Sequence, residues 1–341
     1  MTDTMRRWSM AAIGRDKLKL ETVAVPQPGP GEIRVKVSAA SLNYRDKLVI
    51  ETGMGLALPQ PFVPASDMAG VVDAVGPGVT RFKPGDRVIS TFKPDWIDAV
   101  DNGNARVPAY QTLGGVYQGV LAEYVVFPDN WFSAAPESLN DAEASTLPVA
   151  GLTAWFALIE RGGLKAGSKV LVQGTGGVAL FGLQIAKAHG ATVIVTSRSD
   201  EKLEKAKALG ADHGINSSEE DWVEASYRLT GDAGVDHILE IAGGPSLAQS
   251  IRAVAVHGKI SLIGVLDGFE IAGPAGPLLL KSPVIQGISV GHRRALEDFS
   301  RAIDSTGIKP VIDAHYPLED LQAALDHLDR GPFGKIVINL N

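Results

Sequence analysis

The chain of 341 residues contains no cysteine. Disulfide bonds, cysteine nucleophiles, thiolate zinc sites and cysteine-ligated iron–sulfur clusters are therefore all excluded. Histidine is also scarce, with seven in the chain and none before His189, and no two of them have the spacing of metal ligands. A zinc site built from nitrogen and sulfur ligands is thus not expected in the first part of the chain.

The sequence also lacks blocks of basic residues and long apolar runs. Its 32 Lys and Arg against 39 Asp and Glu give a formal net charge of −7, which disfavours binding to nucleic acid phosphates. No stretch reaches the roughly 18 apolar residues of a membrane span, and residues 1–10 have no apolar core of a signal peptide. We therefore expect a soluble, cytoplasmic protein without nucleic acid or membrane partners.

Length and composition predict two folded domains, with one large domain as the alternative. Hydrophobic residues make up 45% of the chain and charged residues 21%, which is ordinary for globular proteins with a sizeable core. The N-terminal third is rich in glycine and proline, and turn sequences separate its strand candidates Ile33–Ser38, Met68–Val75 and Arg87–Ser90. This spacing predicts a small irregular barrel, and residues 93–119 are predicted to form a long surface loop or lid.

After about residue 140 the pattern changes to alternating strands and helices. Such alternation predicts a parallel sheet that is covered by helices on both faces. From about residue 290 the pattern returns to mixed structure. The predicted strands are Lys169–Gln173, Thr192–Ser197, Val235–Ile241, Lys259–Val265 and Lys335–Leu340; the predicted helices are Asp141–Leu147, Leu152–Arg161, Val178–His189, Asp200–Leu209 with Asp200 as N-cap, Leu247–Val256, Arg294–Ser305 and Leu318–Asp329.

A glycine-rich turn joins a predicted strand to a predicted helix. It has the form G-x-G-x-x-G/A and comprises Gly174, Thr175, Gly176, Gly177, Val178 and Ala179. In this context the motif predicts a dinucleotide-binding turn, because Gly174 permits a tight turn and Gly176 permits close approach of a diphosphate. The N–H groups at the start of the helix would bind that diphosphate. The alternative is a glycine-rich turn without a ligand.

The end of the next predicted strand carries the residues that select the cofactor. Folds that bind NAD place Asp or Glu there, about 20 residues after the glycine motif, to bind the ribose 2′-hydroxyl. This chain instead has Ser197, Arg198 and Ser199, with Lys202 one turn into the following helix. Because Arg198 and the serine hydroxyls can bind a 2′-phosphate, we predict NADPH rather than NADH. The alternative is that Arg198 is a solvated loop residue.

The order of these segments resembles the medium-chain dehydrogenase/reductase superfamily over essentially the whole chain. Pro28–Val37, Gly70–Gly76 and Phe82–Val88 support the resemblance together with the glycine motif. It implies an α/β protein with a GroES-like β-barrel domain and a Rossmann domain with a doubly wound parallel sheet. It also implies hydride transfer to or from nicotinamide, with a small-molecule substrate, in the cleft between them. The expected domains are 1–130 for the catalytic barrel, 131–289 for the NADP-binding domain and 290–341 for the return to the first domain.

Within this superfamily the chain is similar to the zinc-alcohol-dehydrogenase-like branch and to the quinone oxidoreductase and enoyl reductase branches. The zinc enzymes of the family use a catalytic Cys and His, and the matched segments place Asn43 and Ser66 at those two positions. The third ligand falls near Val149 or Ala150. None of these side chains is a soft nitrogen or sulfur ligand, so we predict an enzyme without bound metal.

Without zinc, hydrogen bonds must stabilise the oxygen on which negative charge develops. Asn43 and Tyr44 lie in a segment that resembles the Asn-(Phe/Tyr)-(Arg/Lys)-Asp tract of zinc-free enoyl reductases. The resemblance implies that the Asn43 amide is a donor and that Tyr44 donates a hydrogen bond or a proton. The alternatives are that Asn43 fixes a loop and that Tyr44 packs against the cofactor.

Charged residues near this segment are expected to be structural. Arg45 and Asp46 are expected to form a local ion pair. Asp46 and Asp67, which match residues behind the zinc in metal-containing relatives, are expected to bond backbone groups or arginine. His292 could reach the cleft, although a lone histidine is more often structural.

Further segments are expected to contact the cofactor or a second subunit. Gly264 and Val265 end a predicted strand at the edge of the sheet where dinucleotides lie. Ser289 is expected at the same edge, at the end of the next strand. The resemblance implies that Val284–Val290 pairs across a twofold axis in a homodimer, and an exposed apolar edge strand needs such a partner. Phe333–Lys335 resembles a family segment near the cofactor phosphates.

Three functions stay open. The first is zinc-independent, NADPH-dependent reduction of a quinone or an activated alkene, whose developing charge is delocalised onto an oxygen that a few donors can stabilise. The second is a zinc-free alcohol dehydrogenase or ketone reductase. The third is a non-catalytic NADPH-binding protein.

Overall fold

The computed structural model describes residues 4–101 and 103–340. The described chain divides into two units. The first comprises the residues up to Leu152 and those from Gly291 onward, and the second comprises Thr153–Val290. The chain thus leaves the first unit after residue 152 rather than after residue 130, and it returns at residue 291, one residue after the expected position.

The strands follow one another along the whole chain. In order they are β1 (Thr4–Met10), β2 (Leu18–Ala24), β3 (Glu32–Leu42), β4 (Asp67–Val75), β5 (Arg87–Ser90), β6 (Tyr124–Pro128), β7 (Phe132–Ala134), β8 (Lys169–Gln173), β9 (Thr192–Ser197), β10 (His213–Asn216), β11 (Val235–Glu240), β12 (Val254–Leu262), β13 (Val284–Gly287), β14 (Ile312–Pro317) and β15 (Lys335–Asn339).

The helices lie mainly in the second half of the chain. In order they are α1 (Tyr44–Thr52), α2 (Asp141–Ala144), α3 (Leu152–Trp155), α4 (Gly177–Ala188), α5 (Asp200–Ala208), α6 (Trp222–Thr230), α7 (Ser246–Ala253), α8 (Ala275–Lys281), α9 (Arg293–Thr306) and α10 (Leu321–Asp329). Each helix of the described residues is too short or too polar to span a bilayer.

A bulged, mostly antiparallel sheet forms the core of the first unit. Its strand order is β14-β15-β3-β4-β5-β7, with β6 also paired to β3. The N-terminal half of β3 pairs with β6 and its C-terminal half with β15, while β4 lies along its other edge. Irregularities in the pairing of β3 with β4 let the long strand β3 bend, so that it can pair with β4, β6 and β15. This is the predicted GroES-like domain, and it places β15 beside the residues that precede Asn43.

A parallel sheet forms the core of the second unit. Its strand order is β10-β9-β8-β11-β12-β13. This order confirms the predicted doubly wound parallel sheet. Val170, Leu171 and Val172 of β8 are all completely buried, as expected for a sheet with helices on both faces. The chain continues from β8 to one side and later from β11 to the other. Dinucleotides bind at such a reversal of strand order, outside the carboxyl ends of the strands.

The start of α5 differs from the prediction. Asp200 is not the N-cap but the first residue of the helix. The cap is Ser199, whose Oγ accepts a hydrogen bond from the N–H of Lys202 at 3.4 Å. A serine one residue before an aspartate caps the helix equally well, and Asp200 then lies in the first turn, where its charge favours the helix dipole.

The predicted helix Leu247–Val256 extends beyond the observed end of α7, and the helices predicted between residues 141 and 161 are not regular α-helices. Helix α7 ends at Ala253, and the following Val254 already begins β12, because its β-branched side chain suits a strand. The region predicted as a helix over 141–147 is followed by the π-helical turn Leu147–Gly151, which begins at its last residue, and the region 152–161 contains the π-helical turn Phe156–Glu160. The described part of 93–119 contains no helix or strand, as predicted.

Candidate functional site

The glycine-rich turn lies between β8 and α4, as the motif predicts. Gly174 has a φ of +78°, which favours glycine, and its N–H donates to the carbonyl of Thr196 at 2.8 Å. Gly176 is the N-cap of α4 and has no side chain to cap the helix. A Cβ atom added at either glycine would meet no atom within 4 Å, so the space in front of both is open. This geometry fits a diphosphate.

The remaining residues of the glycine-rich turn lie next to the open space in front of Gly174 and Gly176. Thr175 is buried between the two glycines, and Gly177 and Val178 form the first turn of α4. The N–H groups of this first turn lack a side-chain cap, and the helix dipole adds partial positive charge there. An anion at this position would supply the missing acceptor.

The end of β9 presents one arginine to solvent. Ser197 is the last residue of β9, and its Oγ accepts a hydrogen bond from the N–H of Ser199 at 3.2 Å. Arg198 is exposed between the two serines and makes no ion pair with described residues, while Lys202 is partly buried in the first turn of α5. Each serine hydroxyl keeps its proton for another acceptor. The segment can therefore offer a guanidinium and hydroxyl groups to a phosphate.

The predicted nicotinamide segments follow β12 and β13. The N–H groups of Ile263 and Gly264 both donate to the carbonyl of Glu240, at 2.9 and 3.2 Å. Val265 is partly buried next to Gly264, and Ser289 is exposed two residues after β13. All three predicted residues thus lie at the carboxyl edge of the sheet, where the first glycine turn also lies.

Asn43 lies in a buried polar cluster at the start of α1. Its N–H donates to Oδ2 of Asp46 at 2.8 Å, and its side-chain oxygen accepts from Nζ of Lys335 at 2.5 Å. The same ammonium donates to the carbonyl of Leu42 at 2.7 Å. Because an ammonium only donates, the NH₂ group of Asn43 must face away from it. That nitrogen is buried and lies near the Asp67 carboxyl without a well-formed hydrogen bond.

Asp67 connects three segments that are distant in sequence. Its Oδ1 accepts from the hydroxyl of Ser66 at 2.6 Å, and its Oδ2 accepts from the N–H of Val149 at 3.1 Å. Asn43 also lies close enough to this carboxyl group to lower its pKa. The structure therefore brings together the positions that the family resemblance aligns with zinc ligands. We call Asn43, Asp46, Asp67 and Lys335 the Asn43 cluster.

Two carboxyl groups and one ammonium give this cluster its electrostatics. Burial raises the pKa of Asp46 to about 6, the charge of Asp67 adds to this, and Arg45 opposes it. Burial also raises the pKa of Asp67, while the Lys335 ammonium lowers it. Burial lowers the pKa of Lys335, while both carboxylates raise it. The lysine is the cation that compensates the two buried acids.

Arg45 fastens the irregular loop more than it neutralises Asp46. Its guanidinium donates to Oγ1 of Thr112 at 2.6 Å, to the carbonyl of Gly114 at 2.9 Å and to the Tyr110 hydroxyl at 3.0 Å. The distance to Oδ1 of Asp46 is 4.0 Å, the outer limit of an ion pair. The predicted local pair is therefore weak, because the loop carbonyls and hydroxyls take the guanidinium donors.

Tyr44 and His292 have opposite environments. Tyr44 begins α1 with 43% of its surface exposed, its ring lies 5.5 Å from Nζ of Lys47, and its hydroxyl has no hydrogen bond within the described chain. His292 is buried and caps α9, with Nδ1 accepting from the N–H of Ala295 at 2.9 Å. The tyrosine hydroxyl is thus exposed without a hydrogen bond in the described chain, whereas the histidine has a structural role as a helix cap.

The Asn43 cluster does not fit zinc. Structural and catalytic zinc sites use three or four ligands from Cys, His and carboxylates. The described residues contain no group of three or more His, Cys, Asp or Glu side chains that could hold a metal. The Lys335 ammonium also lies against the oxygens that a cation would need. Sequence analysis missed this role of Lys335, although a lysine that opens an otherwise apolar strand is a detectable signal.

Replacing Lys335 by methionine, which has similar length but no charge, should lower the free energy of unfolding by about 3–5 kcal/mol. The loss arises because two buried carboxyl groups lose their cation. Adding Asp67→Asn should recover part of it by removing one of the uncompensated charges. Urea denaturation measures both effects, with the exposed Lys19→Met as control. Equal stability of Lys335→Met and the wild-type protein would contradict the assignment.

The raised pKa of Asp46 should make stability depend on pH. A carboxyl group with a folded-state pKa of about 6 and an unfolded value of about 3.9 favours folding when protonated. Its contribution is therefore lost as pH rises from about 4 to about 6, by up to about 3 kcal/mol. Asp46→Asn keeps an acceptor for the Asn43 N–H and removes the titration. Unfolding curves of variant and wild type should diverge across this interval in favour of the variant; parallel curves would refute the shift.

Comparison with known proteins agrees with the geometry of both units. The chain matches the alcohol dehydrogenase GroES-like domain over residues 29–137 and the zinc-binding dehydrogenase domain over residues 177–306. A zinc-type alcohol dehydrogenase-like protein of Schizosaccharomyces pombe is 39% identical, and the match covers 96% of each chain. The quinone oxidoreductase of Rattus norvegicus is 30% identical over 96% of this chain and 95% of its own.

Solved structures show the same architecture. A protein of Sinorhizobium meliloti 1021 assigned as an alcohol dehydrogenase is 66% identical, with a TM-score of 0.98 over 100% of both chains. A thermostable alcohol dehydrogenase of Pyrobaculum aerophilum, described with bound cobalt and zinc, is 30% identical, with a TM-score of 0.85 over 99% of this chain and 100% of its own. The chain therefore belongs to the medium-chain dehydrogenase/reductase superfamily and is an NAD(P)-dependent oxidoreductase of that type.

Proposed function

We propose that the protein reduces quinones or α,β-unsaturated carbonyl compounds with NADPH and without zinc, as a cytoplasmic homodimer. The observation that carries this proposal is the Asn43 cluster, in which Lys335 provides the positive charge where related enzymes use a metal. A metal polarises a carbonyl strongly, and hydrogen bonds alone suit acceptors whose developing charge is delocalised. The similarity to a quinone oxidoreductase supports this substrate class.

The second unit would hold NADPH, which supplies a hydride when bound. The first turn of α4 would bind the diphosphate, and the open space at Gly174 and Gly176 admits it. The exposed Arg198 would bind the 2′-phosphate. Backbone groups of Gly264 and Val265 would orient the carboxamide at the carboxyl edge of the sheet.

The first unit would supply the donors for the substrate oxygen. Tyr44 is exposed and its hydroxyl is unpaired within the described chain, so it can donate a hydrogen bond or a proton. The buried amide nitrogen of Asn43 has no well-formed hydrogen bond, and it would donate one to a substrate oxygen that reached it. Lys335 fixes the orientation of that amide.

Turnover of NADPH with a panel of quinones and enones tests the function. We expect turnover that a chelator does not change, no stoichiometric zinc in the purified protein, and a loss of about tenfold or more in kcat for Tyr44→Phe with NADPH binding unchanged. Dominant oxidation of alcohols with NADP⁺ would favour the alternative suggested by the zinc-type alcohol dehydrogenase-like relative. Tight NADPH binding without any turnover would indicate a non-catalytic protein.

Cofactor preference should depend on Arg198. A charge-assisted hydrogen bond contributes about 1.5–3 kcal/mol, so NADPH should bind roughly ten- to a hundredfold more tightly than NADH. Arg198→Ala should remove most of this preference and leave NADH binding nearly unchanged, whereas Arg228→Ala, an exposed arginine of α6, should change neither. Dissociation constants from titration decide the outcome. Equal weakening of both cofactors would indicate stacking on adenine, and a wild-type preference for NADH would refute the interpretation.

The edge strand β13 should pair with a second copy. Within the described chain it is bonded only to β12, and nearby apolar residues are exposed: Leu279 by 76%, Leu280 by 85% and Val284 by 50%. An apolar edge of this kind invites strand pairing. Light scattering should show a dimer at micromolar concentration, and Val284→Lys should shift it toward monomer while Val107→Lys, at an exposed valine of the first unit, should not. A monomeric wild-type protein would contradict this.

A further inference from the structure

A buried carboxylate without a cationic partner lies at the end of β11. Glu240 is completely buried and makes no ion pair with described residues. Its Oε1 accepts from the N–H groups of Ala242 at 3.1 Å and Gly243 at 3.0 Å, and its Oε2 accepts from the Gln173 amide at 2.9 Å and from the Ser250 hydroxyl. A buried charge is costly, and here neutral donors alone stabilise it.

Gln173 links this carboxylate to the neighbouring strand β8. It is the last residue of β8 and directly precedes Gly174. Its Oε1 accepts from the N–H groups of Ile241 at 3.0 Å and Ala242 at 3.3 Å. Because the Glu240 carboxylate only accepts, the orientation of the Gln173 amide is fixed. We call the two linked side chains the Glu240–Gln173 bridge.

The bridge joins the two adjacent strands at which the strand order reverses. Strands β8 and β11 are neighbours, with Val172 opposite Leu239. Later strands lie outward from them on opposite sides, which makes this the switch point where a dinucleotide is expected. Gln173, at one end of the bridge, directly precedes the glycine-rich turn that begins at Gly174. Glu240, at the other end, accepts hydrogen bonds from the backbone N–H groups of Ala242 and Gly243.

The loop after β11 is in turn locked to the loop after β12. A Cβ atom on Gly264 would lie 1.8 Å from the carbonyl oxygen of Ile241, and one on Gly243 would lie 2.5 Å from the carbonyl oxygen of Gly264. The N–H of Asp267 also donates to the carbonyl of Ala242 at 2.8 Å. A shift of residues 241–243 would therefore move Gly264 and its neighbour as well.

We propose that Glu240 and Gln173 are positioning residues for the nicotinamide dinucleotide. The bridge fixes the spacing between the phosphate turn and the two loops on the nicotinamide side before the cofactor binds, so that binding need not order them. A carboxylate is required because it must accept from two N–H groups, an amide and the hydroxyls of Ser246 and Ser250 at once. The proposal rests on the proposed function in that the ligand is a nicotinamide dinucleotide.

Glu240→Gln tests the bridge with little change in volume. In either orientation the new amide places its NH₂ group against an existing donor, which is the Gln173 amide on one side and the Ala242 and Gly243 N–H groups on the other. We expect the Kd for NADPH to rise by about tenfold or more. Titration of the purified full chain with NADPH, followed by calorimetry, measures this without any turnover.

The double variant Gln173→Glu/Glu240→Gln provides the rescue. The carboxylate at position 173 can then accept from the N–H groups of Ile241 and Ala242, and the amide at position 240 can donate to it. Net charge and volume match those of the wild-type protein. NADPH affinity should return close to the wild-type value, although both positions are altered. This recovery would show that the loss in Glu240→Gln comes from the broken bridge and not from the substitution at position 240 as such.

Controls separate the outcomes. Glu224→Gln, at an exposed glutamate of α6, should leave binding unchanged. If Glu240→Gln does not fold, Gln173→Met gives the same test, because Glu240 keeps its backbone donors. Wild-type affinity in a destabilised Glu240→Gln variant, or a double variant that recovers melting temperature but not affinity, would overturn the proposal.

The same measurements distinguish this proposal from the proposed function. A wild-type protein that binds NADPH but reduces no quinone or enone would refute the reductase assignment alone. A wild-type protein that binds no nicotinamide dinucleotide would refute both.

Discussion

Two buried carboxylates can exist inside the first unit because a buried ammonium lies with them. Lys335 donates to Asn43 and to the carbonyl of Leu42, and its charge compensates Asp46 and Asp67. This arrangement requires the C-terminal strand β15 to lie beside β3, so the return of the chain is tied to the electrostatics of α1 and β4. Removing an uncompensated charge from water costs several kcal/mol, so these elements are held together.

The second unit also contains a buried carboxylate, but no cation compensates its charge among the described residues. Glu240 is surrounded by N–H groups, an amide and hydroxyl groups, which can stabilise a carboxylate only if all of them point at it. Such an arrangement is rigid, because moving any one donor leaves buried charge unpaired. It is placed at the centre of the parallel sheet, where the fold itself directs a dinucleotide.

These two networks suggest a division of labour in the proposed enzyme. Rigid loops of the second unit would receive the cofactor, and the exposed Arg198 would select its phosphate. The polar residues of the Asn43 cluster in the first unit are buried, and Tyr44 is the exposed candidate donor. A substrate whose charge is delocalised during reduction suits a site that offers few donors and no metal.

The sequence by itself determined the class of fold, the glycine-rich turn between a strand and a helix, and the lack of cysteine ligands. These features depend on local patterns: alternation of strands and helices, glycines at fixed spacing, and the absence of cysteine. Strands β5, β8 and β9 were predictable to the residue, because each is a short apolar run between turn signals. The N-cap of α5 was not predictable to the residue, because Ser199 and Asp200 are both good capping residues. The start of β12 was not predictable either, because Val254 also fitted the apolar pattern of the preceding helix.

Only the tertiary structure decided which polar residues share one environment. Asn43, Asp67 and Lys335 are far apart in sequence, and the pairing of β15 with β3 brings the lysine to the other two. Arg45 binds residues 110–114 rather than its neighbour Asp46 because the folded loop offers better acceptors. Gln173 meets Glu240 because β8 and β11, separated in sequence by two other strands, are adjacent in the sheet. No local pattern encodes such contacts, since they arise from strand order and register.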